Sequence, residues 1–186
     1  MPNQPAYLYG LIVGCEVAFW LLLLLALVVR YVLQRSRLSR ALLFALPAVD
    51  MTLLAFTALD LRAGAPATFA HGLATAYVGF TIAFGGLVVG WADQRFAHRF
   101  ASGPPPVTTP TRGWPAVRYE FALWLRCIVA WVITAALLIS LIAYVDREAV
   151  TQELHDWFRI AFGSVIAWFV FGPVWSLLFF RRQTPK

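Results

Sequence analysis

Apolar residues fall in five long runs, with polar residues confined to short stretches between them. The first run is Leu8 to Leu33 and holds the unbroken block Leu21–Leu25. The others are Ala41 to Leu61, Ala67 to Trp91, Phe121 to Val145 and Trp157 to Phe180. A helix of about 20 apolar residues crosses a bilayer core. Backbone groups in lipid must be satisfied within the segment, so each run predicts a helix and not a strand. The pattern predicts an all-α, polytopic transmembrane helix bundle of about five spans, one domain over residues 1–186. Between the third and fourth runs, residues 94–118 include Gly103-Pro104-Pro105-Pro106 and Thr108-Thr109-Pro110 and predict a cytoplasmic Pro-rich loop.

Charge placement predicts the orientation. Arg35, Arg37 and Arg40 follow the first run, with Arg30 just inside its end; Arg95, Arg99, Arg112 and Arg118 follow the third. Arg181, Arg182 and Lys186 follow the fifth. With five spans all three groups lie on one side, and Arg and Lys concentrate on cytoplasmic loops. The other side has Arg62, Arg147 and Arg159, offset by Asp146, Glu148, Glu153 and Asp156. The expectation is an outside N-terminus and a cytoplasmic C-terminus. Tyr7, Tyr9, Trp91, Trp114, Trp124, Tyr144 and Trp157 fall near span ends, as headgroup-level aromatic residues do. Trp20, Trp131 and Trp168 fall deeper, where they pack between helices or against lipid.

Composition sharpens the membrane reading. Hydrophobic residues make up 61% of the 186 positions and charged residues 13%, against about 25% charged in soluble domains. Mean hydropathy is +0.72. The net charge of +6 lies in clusters between the apolar runs, so the expected partner is the lipid bilayer and not nucleic acid. The expected location is the bacterial plasma membrane. The start Met1-Pro2-Asn3-Gln4-Pro5 has no basic segment before its apolar run, and that run is too long for a cleaved leader. Cys15 and Cys127 lie inside apolar runs, as small buried side chains do.

The third run carries a stripe of small residues. Gly72, Ala76, Gly79, Ala83, Gly86 and Gly90 recur at intervals of four and three, which puts them on one helix face. Close approach through small residues is a main source of helix association in lipid. The third span is therefore expected to be the central helix, packed along this face against a neighbour or a second copy. Gly10 and Gly14 form a shorter pair in the first span. Pro47 and Pro173 fall inside spans and are expected to bend them.

Ionisable residues inside spans need a reason. Glu16 is about 12 Å in from the outer end of its span and Asp50 about 13 Å in from the inner end of its own. Both are near the midplane, where a charge costs about 2.5–3.5 kcal/mol on insertion scales. Arg126 is about 8 Å from the inner boundary. One reading is a proton or cation site built from Glu16, Asp50 and Arg126. The other pairs Arg126 with Asp50, or less easily with Glu16, to tie helices together, or lets it snorkel to the cytoplasmic surface. His71 is expected to hydrogen-bond at a helix interface. Neither haem nor metal is expected, because no second imidazole lies at matched depth and the set His71, Asp60 and His155 has no ligand spacing. From Trp91 to Phe100 the third span is expected to continue as a surface helix whose Arg95 and Arg99 meet headgroups; Asp93 has no ion pair available within that helix.

Nucleotide-binding glycine loops, HExxH, CxxC and a nucleophile elbow are all missing from the sequence, and no catalytic activity is expected. The string Phe69-Ala70-His71-Gly72-Leu73-Ala74, then Trp91-Ala92-Asp93 through Phe100 and Gly103-Pro104-Pro105-Pro106, resembles uncharacterised multi-pass membrane proteins of high-GC actinobacteria. That resemblance implies a membrane protein without a known activity. The leading expectation is a structural or partner-binding membrane subunit, as a homo-oligomer or with another membrane protein. The rival is a small proton- or cation-coupled transporter or channel using the midplane carboxylates. Cysteines placed singly at Arg62 and Ser102 are expected to react with impermeant reagents from outside and inside respectively; the reverse labelling would invert the topology.

Overall fold

The computed structural model describes residues 6–179, with side chains for all of these except 6–9, 11, 12, 16, 36, 44, 47, 50 and 148–150. The side chains of Tyr7, Tyr9, Pro47 and Glu148, and the tail Arg181, Arg182 and Lys186, lie outside the described residues. The described chain is helical: α1 (Ala6–Tyr31), α2 (Ser36–Arg62), α3 (Phe69–Phe100), α4 (Gly113–Val145) and α5 (Glu148–Phe169), then a π-helical turn (Val170–Val174) and α6 (Trp175–Leu178). Among the described residues, Val13–Tyr31, Phe69–Phe100, Gly113–Val145 and Thr151–Leu178 are long and apolar enough to cross a membrane. At 27 residues, α2 is about 40 Å long and covers the second apolar run.

Contacts at the helix ends establish an up-and-down bundle. Asp93 near the end of α3 meets Arg30 and Tyr31 at the end of α1, so these two helices run parallel. The Arg62 guanidinium lies 4.5 Å from the Tyr144 ring centre, which aligns α2 with α4. Trp124 early in α4 donates from Nε1 to the Val165 carbonyl late in α5 at 3.1 Å, so that pair is antiparallel. Helix α3 touches α1, α2, α4 and α5 and is the centre of the bundle.

Helices α4 and α5 start eight and nine residues before their apolar runs. Helix α4 begins at Gly113, with Pro115 in its first turn, where proline's missing N–H costs nothing. Helix α5 begins at Glu148, directly after the turn residues Asp146 and Arg147. Asp146 adopts the left-handed conformation (φ 50°, ψ 42°) that ends α4. The acidic stretch 148–156 is thus the first two turns of α5 and not a loop. Helix α3 continues past Trp91 to Phe100.

The stripe on α3 packs over its N-terminal half. A Cβ on Gly72 would fall on the Trp157 indole of α5; one on Gly79 would meet Thr134 Oγ1 and stand 2.7 Å from the Ala130 carbonyl of α4. Ala76 and Ala83 are buried. At Gly86 and Gly90 a Cβ would meet nothing within 4 Å, and the same holds at Gly10 and Gly14. The small face therefore runs past the end of its packing partners. Aromatic pairs flank the packed half: Phe80 with Trp131 (5.4 Å, edge-on), Phe84 with Trp168 (5.7 Å) and Phe69 with Trp157 (4.8 Å). Trp157, expected at the headgroup level, is 4% exposed, because Gly72 leaves a space that its ring fills.

Replacing Gly79 with Leu forces bulk into a backbone contact and is expected to cost roughly 1–3 kcal/mol. Gly163 faces open space, so Gly163→Leu is expected to stay within about 0.5 kcal/mol. Thermal unfolding in detergent measures both, and equal midpoints would contradict the close approach.

Candidate functional site

Buried polar groups are the places where a membrane bundle carries chemistry, and three clusters of them are described. The first is built on the start of α3. Thr68 is its N-cap, in an extended conformation, and His71 occupies the third helical position, where Glu or Gln usually completes a capping box. The Thr68 N–H donates to His71 Nδ1 at 3.1 Å, and Thr68 Oγ1 is 3.0 Å from the same nitrogen. Nδ1 is thus an acceptor, so in the neutral ring the proton is on Nε2. Nε2 donates to Asp60 Oδ2 of α2 at 2.9 Å. The His71 side chain is fully buried and Asp60 keeps 22% of its exposure, so the carboxylate is the wet end of the relay. The site closes the α2–α3 turn, with the Trp157 indole packed beside it over Gly72.

The second cluster joins α1 to α3. Tyr31 Oη donates to Asp93 Oδ1 at 3.0 Å, and Arg30 Nη1 donates to the same oxygen at 3.3 Å. Asp93, which has no partner within its own helix, finds both on a neighbour 62 and 63 residues away. Both charges are part-exposed, so the ion pair adds roughly 0–1 kcal/mol. Nearby, the Arg95 guanidinium stacks 4.0 Å over the Trp91 ring centre.

The third contact is inside the spans. Arg126 Nη1 donates to the Ala83 carbonyl of α3 at 3.1 Å. The guanidinium therefore reaches sideways to the backbone beneath the small stripe, and Ala83 O is its described partner. The side chains of Glu16 and Asp50 lie outside the described residues; their backbones belong to α1 and α2. Thr75, Thr134 and Ser140 each donate to the carbonyl four residues earlier in their own helix. The buried hydroxyls of Ser39 and Thr57 have no described partner.

His71 and Asp60 come together as two of the three residues weighed for a metal. His155 does not join them: it is exposed on α5, with its ring near Phe158. No group of three or more metal-ligating side chains occurs among the described residues. The sequence reading missed Glu120, whose carboxylate lies against Gly172 in the π-helical turn. Its signal was present as an acidic residue one position before the fourth apolar run.

Removing the His71 ring strips Asp60 and Thr68 of a partner and leaves a void. His71→Ala is therefore expected to lower stability by about 2–4 kcal/mol, and Asp60→Asn by about 1 kcal/mol. Denaturation in detergent followed by tryptophan fluorescence measures both, and an unchanged His71→Ala variant would exclude this network as a support of the bundle.

No family model matches the chain, and no solved structure matches it. Over 145 residues the chain is 38% identical to a protein of Bacillus subtilis (strain 168) described as "Uncharacterized membrane protein YmcC", covering 77% of each. That relative agrees with the resemblance in being an uncharacterised membrane protein, although it comes from a Bacillus and not from an actinobacterium. At this identity and coverage, and with apolar helices long enough to cross a bilayer, the chain belongs to the family of integral membrane proteins that includes YmcC of Bacillus subtilis.

Proposed function

We propose that this protein is a partner-binding subunit of the bacterial plasma membrane, with five spans including α2, an outside N-terminus and a cytoplasmic C-terminus, and that it catalyses no reaction. The observation that supports this most is the half-used face of α3. Its outer half is packed by α4 and α5, while Gly86 and Gly90 meet nothing. Lipid chains fill such a face loosely, and a helix with small residues fills it closely. A second copy of this chain is the occupant in this reading, because it supplies the same small-residue face in the same membrane.

Gly86→Cys places a thiol on the open face without touching the packed half. Oxidation in native membranes is expected to give a covalent dimer, while Gly163→Cys on the far helix remains monomeric. Monomer for both would remove the second copy as occupant. Proton or cation flux in proteoliposomes, abolished by Asp50→Asn or Glu16→Gln with folding intact, would replace this reading with transport.

A further inference from the structure

The inner end of α4 carries a carboxylate that the contacts above leave unused. Glu120 lies two turns into α4, about 10 Å along the axis from Gly113. No hydrogen bond or ion pair joins it to another side chain among the described residues. Opposite it, α5 widens into the π-helical turn that contains Pro173. Proline there lacks an N–H and cannot continue the α ladder, and π turns are frequent at functional sites. Gly172 in that turn has no side chain, and a Cβ on it would stand 3.0 Å from Glu120 Oε2. The wide turn and the missing Cβ together admit the carboxylate to the edge of α5.

Beside that contact is a cleft of about 380 Å³ lined by Glu120, Ser164, Ala167, Trp168, Phe171 and Gly172. The geometry points to a binding site for a lipophilic organic cation, held by the Glu120 carboxylate against the faces of Trp168 and Phe171. Its size falls in the range of small-molecule clefts, about 300–1,000 Å³. A carboxylate at the edge of lipid is costly, and a bound cation lowers that cost. Aromatic faces attract cations, most strongly where water is scarce. A hard metal ion fits poorly, because it needs about six oxygen ligands. Here Ser164 Oγ is the only lining side-chain oxygen besides the carboxylate, and its own proton goes to the Ala161 carbonyl at 2.9 Å. No Arg or Lys is among the described residues lining this cleft; Arg112 lines the neighbouring cleft that Glu120 also borders. Trp168 also stacks on Phe84 of α3, which anchors the aromatic wall to the central helix.

Equilibrium dialysis of the full chain in neutral detergent, with tetraphenylphosphonium as probe, tests the site. The expected result is saturable binding of one cation per chain, weakened on the order of tenfold by Glu120→Gln and weakened also by Trp168→Leu. Tetraphenylborate has the same shape and opposite charge, and is expected not to compete. Saturable binding that is unchanged in a folded Glu120→Gln variant, or equal binding of the borate, would overturn the proposal, as would no saturable binding by the natural chain. Should Glu120→Gln fail to fold, the comparison of the two ions on the natural chain decides by charge alone.

Discussion

The close approach of α3 to α4 at Gly79 is the contact on which the rest of the bundle depends. Thr134 Oγ1 and the Ala130 carbonyl lie where any side chain at Gly79 would be. In lipid, apolar burial between helices gains little over contact with acyl chains, so backbone proximity must supply the association. Thr134 tolerates this position because its hydroxyl donates to Ala130 O within its own helix and exposes no unsatisfied donor to α3. Once the axes are this close, Phe80 reaches Trp131 and Arg126 reaches the Ala83 carbonyl. An aromatic pair of this kind adds about 0.5–1.5 kcal/mol, and only at this separation.

Polar contacts at the two ends then fix what the glycine face leaves free. Small-residue packing restrains the distance between helices more than their sliding along the axis. His71 with Asp60 and Thr68 fixes α2 against α3 at one end, and Asp93 with Arg30 and Tyr31 fixes α1 against α3 at the other. The His71 latch also completes a terminus, because its ring takes the Thr68 N–H at the start of α3, whereas the Asp93 latch joins side chains only. The two latches differ in kind. The His71 ring is buried and its loss leaves polar atoms unpaired, whereas the Asp93 group is wet and exchanges with water at little cost.

Much of this was legible in the sequence, and the reasons for the exceptions are physical. The spans and the central place of the third helix follow from apolar runs and a periodic stripe, both properties of one segment. What one segment cannot show is where its neighbour ends. The stripe has six members, yet α4 and α5 cover only Gly72 to Ala83, so Gly86 and Gly90 remain open. Trp157 reads as an interfacial residue from its position at a run boundary, but α5 begins nine residues earlier and carries the ring inward over Gly72. Asp93 looked unpartnered because helix spacing accounts only for neighbours on the same helix. Glu120 was passed over for a similar reason: apolar-run boundaries place it outside a span, while the helix that contains it starts seven residues before it.

The bend in α5 shows how a local defect becomes a place for chemistry. Pro173 and Gly172 adjoin, so the hydrogen-bond ladder is interrupted where the side-chain layer is also missing. Either residue alone has a smaller effect: proline bends the helix but keeps its neighbours' side chains, and glycine opens space without widening the turn. Together they let a carboxylate from α4 lie against the α5 backbone, between Trp168 and the turn. The cost of holding that charge at the lipid edge is borne by the α3–α4 core, whose packing does not involve residues 170–174. A bundle held by one tight helix pair thus has a peripheral helix free to depart from regular geometry, and the unused charge of α4 lies against that departure.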